Sequence, residues 1–148
     1  MKVMITGHMH ERCKGREVEI EDWIVHTLQK LHPDECITGC AKGVDSVFAW
    51  QAMYLNLPLV CAFPYKHDLS PAEQRMKDYA KEVHVQTDTW HKSCYLDRDK
   101  WMVDRAGVVL VVWGGRPGGG AYYTKQYAEK LGKQIIYFPW STNENGSN

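Results

Sequence analysis

Short apolar runs alternate along the chain with longer stretches in which apolar residues recur every three or four positions. The stretches of helical spacing predict five amphipathic helices, the first of which carries Ile20, Ile24 and Leu28 on one face. Strands that alternate with helices through short loops predict an α/β fold with a doubly wound, mostly parallel sheet. The six apolar runs that predict its strands lie at residues 2–6, 36–38, 59–63, 83–86, 108–113 and 134–138.

Two segments make this pattern more specific. Residues 108–113 (VVLVVW) form a continuous run rich in β-branched side chains, which is typical of a strand buried on both faces of a parallel sheet. Ser70, Pro71 and Glu73 supply an N-cap, a proline at the first helical position and the acid of a capping box. These three residues therefore predict a helix start.

Composition restricts the class of protein. The 148 residues suit a single Rossmann-like domain, which we assign to residues 1–140, and the polar residues 141–148 predict a disordered C-terminal tail. No apolar run approaches the roughly 18 residues of a membrane helix, and MKVMITGHMH lacks the features of a signal peptide. The five cysteines include no CxxC pair, so we expect free thiols and a cytoplasmic location.

Charge restricts the partners. Lys and Arg number 18, as do Asp and Glu, so the formal net charge is zero. Proteins that bind nucleic acid usually carry a basic excess, and this balance disfavours nucleic acid as a partner. No membrane partner is expected, while the many aromatic residues leave room for a homo-oligomeric interface such as that of a dimer.

Glycine-rich junctions follow several predicted strands. Ligands of doubly wound sheets bind at the carboxyl ends of strands, where the strand order reverses. The strongest junction is GGRPGGG at residues 114–120, with five glycines in seven residues. Amides at Gly118, Gly119 and Gly120 can approach an anion closely, and the dipole of the next helix favours negative charge by ~0.3–1 kcal/mol. A flexible turn is the alternative, but the position favours phosphate binding.

The first predicted strand ends in Thr6, Gly7 and His8, which offer a hydroxyl, a backbone amide and an imidazole to the same ligand. An alternative interpretation of His8 and His10 is that they form a pair of metal ligands. No other cluster of ligating residues accompanies them in the sequence, so we expect no metal, and we expect no required cofactor. A hydrogen bond from His8 to a ligand phosphate is the favoured interpretation.

Two more segments carry candidate ligand contacts. Gly39 and Gly43 permit close backbone approach ahead of the second helix, where Asp45 either caps the helix or binds a ribose hydroxyl. Arg98 begins the fourth helix, where its guanidinium can fork onto a phosphate. Asp104 lies near the end of that helix and is interpreted as a structural ion pair or cap.

The junctions together resemble a known family. TGH, GCAKGVDSVFAWQA, RDKWMVDRAGVVLVVWGG and GGGAYYTKQYAEKLGKQIIYF occur in the order typical of the YpsA-like branch of the SLOG superfamily, whose other members include DprA and the LOG phosphoribohydrolases. The resemblance implies a Rossmann-like three-layer fold and binding of nucleotides or derived ligands such as ADP-ribose or NAD fragments. Carried over by position, the ligand site would comprise Thr6, Gly7, His8, Gly39, Gly43, Asp45, Arg98, Gly118, Gly119, Gly120 and Thr124.

One departure from the family bears on catalysis. LOG enzymes and nucleoside deoxyribosyltransferases resemble this region but carry a glutamate that serves cleavage or transfer of a glycosidic bond. An alignment anchored on Tyr127 and Ala128 puts Thr124 in that position, and an alignment on the glycines leaves Tyr123 or Thr124. Neither can act as a carboxylate nucleophile. The resemblance therefore favours binding over either glycosidic reaction.

Three functions remain open from the sequence. The favoured one is a sensor, sequestering or regulatory module that binds a nucleotide-like small molecule. An alternative is an N-glycosidic bond hydrolase or transferase in which Asp45, Asp99 or Asp104 supplies the acid or base. A second alternative is a DprA-like binder of single-stranded DNA, against which the zero net charge counts.

Overall fold

A computed structural model describes residues 1–7 and 15–140. Strands and helices alternate through these ranges without exception, as the periodicity predicts. The elements are β1 (Lys2–Gly7), α1 (Glu17–Leu31), β2 (Glu35–Thr38), α2 (Val44–Tyr54), β3 (Leu59–Phe63), α3 (Pro71–Tyr79), β4 (Glu82–Val85), α4 (Cys94–Arg105), β5 (Val108–Val112), α5 (Gly120–Lys130) and β6 (Gln134–Tyr137).

The described strands form one sheet in the order β4-β3-β2-β1-β5-β6. All five neighbouring pairs are parallel. The chain builds outward from β1 to β4, then returns to place β5 on the other side of β1, so the strand order reverses between β1 and β5. Thr6 pairs with Val111 and Gly7 with Val112 at the carboxyl ends of these two strands. The prediction of a Rossmann-like, doubly wound fold is confirmed.

Helices cover both faces of the sheet. Alternate residues of β1 point to opposite sides, with Val3 and Ile5 in one core cluster and Met4 in the other. Helices α1, α2 and α3 pack on the first face, through side chains such as Phe48, and α4 and α5 pack on the second, through side chains such as Met102. These layers complete the three-layer architecture.

Local signals in the sequence set several element boundaries. Ser70 Oγ accepts a hydrogen bond from the Glu73 amide, and the Glu73 carboxylate accepts one from the Ser70 amide, so the capping box is formed as predicted. Every residue of β5 is buried, as its continuous apolar run indicates. Strand β1 extends one residue beyond the prediction because Gly7 pairs with Val112. The predicted disordered tail, residues 141–148, lies outside the described residues.

A buried ion pair that the sequence pattern does not reveal joins β2 to α4. Glu35 is 1% exposed, and its carboxylate accepts hydrogen bonds from Arg105 at 2.6 and 3.0 Å. Lys81 approaches the same carboxylate at 3.0 Å, and Arg105 also binds Glu82 on β4. Burial alone raises the pKa of Glu35, but the bonds from Arg105 and Lys81 outweigh it and hold that pKa below its ordinary value.

Asp104 has a structural role, but its carboxylate takes part in a hydrogen bond in place of the predicted ion pair or cap. Its carboxylate accepts a hydrogen bond of 2.6 Å from the Tyr127 hydroxyl of α5. Lys133 donates to the backbone carbonyls of Asp104 and Ala106. These contacts fasten α4 to α5 on one side of the sheet. Across the described part of the chain, no helix is long and apolar enough to cross a membrane.

Candidate functional site

A cavity of about 450 Å³ opens at the carboxyl end of β1, where the strand order reverses. Cavities of ~300–1,000 Å³ at such reversal points commonly hold small-molecule ligands. Four parts of the chain surround it: the end of β1, the loop into α2, one face of α4, and the glycine loop before α5. The described residues that line it are Ile5, Thr6, Gly7, Ala41, Asp45, Tyr95, Arg98, Asp99, Met102, Gly118, Gly119, Gly120 and Ala121.

The end of β1 depends on a glycine. A Cβ atom added at Gly7 would lie 2.5 Å from Val44 Cγ2 and 2.9 Å from Val112 Cβ. Only hydrogen fits there, so Gly7 lets the first residue of α2 approach β1 and β5 closely. Thr6, the preceding residue, is buried and presents its side of the strand to the cavity.

The glycine loop, residues 114–120, opens onto the cavity. Gly118 and Gly119 have φ angles of +95° and +86°, which side-chain-bearing residues rarely adopt. A Cβ atom added at Gly118, Gly119 or Gly120 would meet no described atom within 4 Å, so the space beside the backbone is open. Gly119 is the N-cap residue of α5, and no described side chain caps this helix. The first amides of α5 are thus directed toward space that an anion can fill.

The loop between β2 and α2 is built by Thr38. Its hydroxyl donates to the Asp45 carbonyl at 3.0 Å and accepts from the Cys40 amide at 3.1 Å. Gly43, with a φ angle of +92°, allows the turn that starts α2 and does not line the cavity. Ala41 and Asp45 do line it. Thr38 therefore fixes the part of the loop that carries the Asp45 carboxyl into the site.

Helix α4 supplies four of the residues that line the cavity. Tyr95, Arg98, Asp99 and Met102 follow one another at intervals of three, one and three residues, which places them on one helical face. Arg98 and Met102 are buried, while Tyr95 is 49% exposed. One helix face thus combines an aromatic ring, a cation, a carboxyl and a thioether.

The guanidinium of Arg98 is held by three hydrogen bonds within the protein. Nη1 donates to the carbonyls of Gly39 and Ala62, both at 2.9 Å, and Nε donates to Asp99 Oδ1 at 2.8 Å. Nη2 makes none with the residues that the structure describes. A two-pronged grip on phosphate would require Arg98 to release a protein contact, so one nitrogen, Nη2, is the group that it can offer to a ligand.

Two carboxyls flank this guanidinium. Burial raises the pKa of Asp45 to about 7; the Arg98 charge opposes this shift, and the Asp99 charge adds to it. Burial also raises the pKa of Asp99, although Arg98 and the Thr124 hydroxyl, which donates to Asp99 Oδ2 at 3.1 Å, lower it. The raised pKa of Asp45 reduces the negative charge that this carboxyl carries near neutral pH. An anionic ligand can therefore share the cavity with Asp45.

The structure brings most of the predicted site residues together. Gly39 lies directly behind the wall, where its carbonyl binds Arg98. Gly43 and Thr124 are outside the lining, and His8 lies outside the described residues. Helical spacing from Arg98 is the sequence signal that points to Tyr95 and Met102, which the prediction missed. The predicted residues that do line the cavity are Thr6, Gly7, Asp45, Arg98, Gly118, Gly119 and Gly120.

Within residues 1–7 and 15–140, no group of three His, Cys, Asp or Glu side chains is arranged to hold a metal ion. The histidine pair at positions 8 and 10 lies outside these ranges. The expectations of no metal and no required cofactor stay predictions.

No family model and no curated protein sequence matches the chain. Solved structures match its fold. DNA processing protein A (DprA) from Streptococcus pneumoniae gives a TM-score of 0.75 at 19% identity, over 95% of this chain and 50% of DprA. DprA from Helicobacter pylori, described for its single-stranded DNA binding mode, gives 0.72 at 17% identity, over 97% and 67%. The protein TM1055 gives 0.63 at 20% identity, over 91% and 72%. At these identities the likeness shows the fold, and this chain spans half of the pneumococcal protein.

Proposed function

We propose that this chain binds a nucleotide or nucleotide-derived ligand, such as ADP-ribose, an NAD fragment or a nucleoside phosphate, in the cavity beside β1. The observation that carries the proposal is the glycine loop. Its three last glycines leave open space at the uncapped start of α5, and that space faces the cavity. A phosphate placed there accepts hydrogen bonds from the amides of Gly119, Gly120 and Ala121 and is stabilised by the helix dipole.

The rest of the cavity suits the sugar. Carboxyl groups bind ribose hydroxyls well because they accept hydrogen bonds from both members of a diol. Asp45 and Asp99 line the cavity together with the glycine loop, and the Arg98 guanidinium donates from Nε to Asp99. In this arrangement the glycine loop binds the phosphate, and the carboxyls of Asp45 and Asp99 bind the ribose hydroxyls.

Binding without turnover is the function we favour. Thr124, at the position where glycosidic enzymes resembling this chain carry glutamate, is 1% exposed and donates its hydroxyl to Asp99. It is a hydrogen-bonding support for a cavity residue, and a threonine hydroxyl is a poor nucleophile without an adjacent base. A sensor, a sequestering protein or a regulatory module would need no group at that position beyond this support.

One observation favours the enzymatic alternative. A pKa of about 7 suits Asp45 to general acid or base chemistry at neutral pH, because such a group can both hold and release a proton. Hydrolysis of an N-glycosidic bond would use Asp45 to activate water or to protonate the departing base. The test of function therefore follows products as well as binding.

Single-stranded DNA is a further candidate ligand, to be included in the same test. The zero net charge disfavours it, but Helicobacter pylori DprA, whose fold this chain shares, binds single-stranded DNA. We also propose that the chain is a SLOG-superfamily member, since its fold and its motifs point the same way; the YpsA-like branch stays a prediction.

The experiment combines thermal unfolding with product analysis. The protein is incubated with NAD, ADP-ribose, the nucleoside monophosphates and a single-stranded oligothymidylate, then assayed for melting temperature and for released base or ribose phosphate. A ligand present at about 100 times its dissociation constant adds ~2.7 kcal/mol of stability. A shift without product supports the proposed binder, and released base supports the glycosidic enzyme. The proposal is contradicted if oligothymidylate is the only compound that shifts the melting temperature, or if no compound shifts it at millimolar concentration.

A further inference from the structure

Tyr95 is an unusual member of the cavity wall because it is both aromatic and exposed. Its side chain is 49% accessible, whereas Arg98 and Met102 on the same helix face are buried. Helix α4 begins at the carboxyl edge of the sheet, since it leads into the start of β5. Tyr95 precedes Arg98 by three residues, so it stands ~4.5 Å further out along the helix axis. It therefore lies toward the entrance of the cavity.

Neighbouring rings hold Tyr95 in place. The Tyr65 ring meets it at 76° with centroids 6.3 Å apart, and Tyr65 in turn contacts His67 at 5.0 Å. His67 packs against the buried Phe63 at 6.0 Å and is bonded to the Asp68 carbonyl. We refer to Tyr65, His67 and Tyr95 as the aromatic cluster. Its edge-to-face contact between Tyr65 and Tyr95 orients the Tyr95 ring, and about half of the Tyr95 side chain stays exposed.

We propose that Tyr95 binds the aromatic base of the ligand, stacking on it while the phosphate lies on the glycine loop. This inference rests on the proposed function. It concerns the base, which is the part of the ligand that the proposed phosphate and ribose contacts do not bind. It assigns the ligand to the nucleoside phosphates and their derivatives, as opposed to sugar phosphates without a base.

The physical argument is one of preorganisation. An exposed ring that is already oriented loses little conformational freedom when a base stacks on it. Such stacking strengthens binding roughly tenfold to a hundredfold per base in proteins that hold single-stranded nucleic acid, and it tolerates different bases because each has a π-face. The Arg98 guanidinium, 5.9 Å from the centroid of the Tyr95 ring, adds a cationic contact on the inner side of the same wall.

The experiment compares ligands with and without a base. Calorimetric titrations use ribose 5-phosphate and the four monophosphates AMP, GMP, CMP and UMP on the wild-type chain and on Tyr95→Ala, Tyr95→Phe and Tyr123→Ala. Tyr123 is the matched control, because it is 51% exposed at the start of α5 but does not line the cavity. Thermal unfolding of each variant checks that it folds.

We expect at least one monophosphate to bind the wild-type chain about tenfold or more tightly than ribose 5-phosphate. Tyr95→Ala should abolish this preference, whereas Tyr95→Phe, which keeps the ring, and Tyr123→Ala should retain it. A preference that survives Tyr95→Ala, or ribose 5-phosphate binding as tightly as every monophosphate, overturns the inference while leaving a phosphate site. Failure of all five compounds to bind overturns the proposed function as well.

A further titration separates the two sources of a base. A 5′-phosphorylated oligothymidylate is titrated into the wild-type chain and Tyr95→Ala, with UMP as the free-nucleotide reference. Tighter binding of the oligonucleotide than of UMP, lost in Tyr95→Ala, supports the stacking role with a nucleic-acid strand as the source. Weaker binding of UMP to Tyr95→Ala than to the wild type, with no binding of the strand to either protein, supports the stacking role with a free nucleotide as the source. Identical affinities in wild type and Tyr95→Ala for both ligands overturn it.

Discussion

Arg98 Nη1 donates a hydrogen bond of 2.9 Å to the carbonyl of Gly39, and this bond joins α4 to the loop after β2 across the carboxyl edge of the sheet. Gly39 has no room for a side chain, since an added Cβ would lie 2.7 Å from Asp45 Oδ2 and 3.0 Å from Arg98 Cζ. The guanidinium, the Asp45 carboxyl and the Gly39 backbone thus pack as one unit. Asp45 and Arg98 line the cavity, and Gly39 lies directly behind them.

Removal of Arg98 should destabilise the fold. Arg98→Ala leaves two buried carbonyls without a donor and the Asp99 carboxyl without its cation, so the free energy of unfolding should fall by about 3 kcal/mol or more. Urea denaturation measures the change. Lys100→Ala, an exposed substitution on the same helix whose ammonium lies over the Tyr127 ring, is the control and should cost less than about 1 kcal/mol. Equal losses in the two variants would contradict a structural role for Arg98.

Gly120 separates ligand binding from folding. Its backbone lacks the positive φ angle of Gly118 and Gly119, and an added Cβ meets no described atom, so Gly120→Ala should fold at least as stably as the wild type. The methyl group would occupy the cavity beside the helix start. We therefore expect affinity for a phosphorylated ligand to fall by about tenfold or more, measured by calorimetry.

Gly107→Ala is the matched control for that substitution. Gly107 lies at the other end of β5, where an added Cβ makes an ordinary contact of 3.7 Å with the Lys2 carbonyl. Affinity in this variant should equal that of the wild type. If Gly120→Ala and Gly107→Ala bind the same ligand equally well, the phosphate does not lie against the start of α5.

Gly7 and Val44 should be energetically coupled. Gly7→Ala forces a methyl group against Val44 Cγ2 and should lower stability by about 1–3 kcal/mol. Val44→Ala removes the atom that clashes, so the double variant should be more stable than the sum of the single changes by about 1 kcal/mol. A denaturation cycle of the four proteins measures this coupling. Additive losses would show that the clash is absorbed elsewhere.

Asp45 should make stability depend on pH. Burial raises its pKa to about 7 in the folded chain, against ~3.9 in an unfolded one, so the folded state binds more protons between these values. Stability from this group therefore declines as pH rises from about 4 to about 7. Asp45→Asn should raise the melting temperature relative to the wild type by more at pH 8 than at pH 5. A difference that is the same at both pH values would contradict the raised pKa.

Local signals explain why much of the fold can be predicted from the sequence. The Ser70 capping box, the continuous apolar run of β5 and the helical spacing of α1 each depend on neighbours within a few positions. The predicted bounds of β3 agree with the structure to the residue. The edge strand β4 begins one residue early, at Glu82, because that residue pairs with Val60.

Tertiary contacts explain what the sequence could not reveal. Arg98 was predicted to fork onto a phosphate, but its partners at Gly39 and Ala62 lie 59 and 36 positions away and are visible only once the sheet is assembled. The same contacts orient α4 and so decide that Tyr95 joins the cavity. Thr124 faces Asp99 for a similar reason, since the packing of α5 on α4 sets its direction.

A nuclear magnetic resonance titration tests the central claim most directly. AMP is added to the ¹⁵N-labelled chain and the backbone amide resonances are followed. We expect the largest shifts at the amides of Gly118, Gly119, Gly120 and Ala121, accompanied by Thr6 and Gly7 at the end of β1. Shifts confined to amides away from this edge of the sheet, or none at millimolar AMP, would contradict a phosphate site at the start of α5.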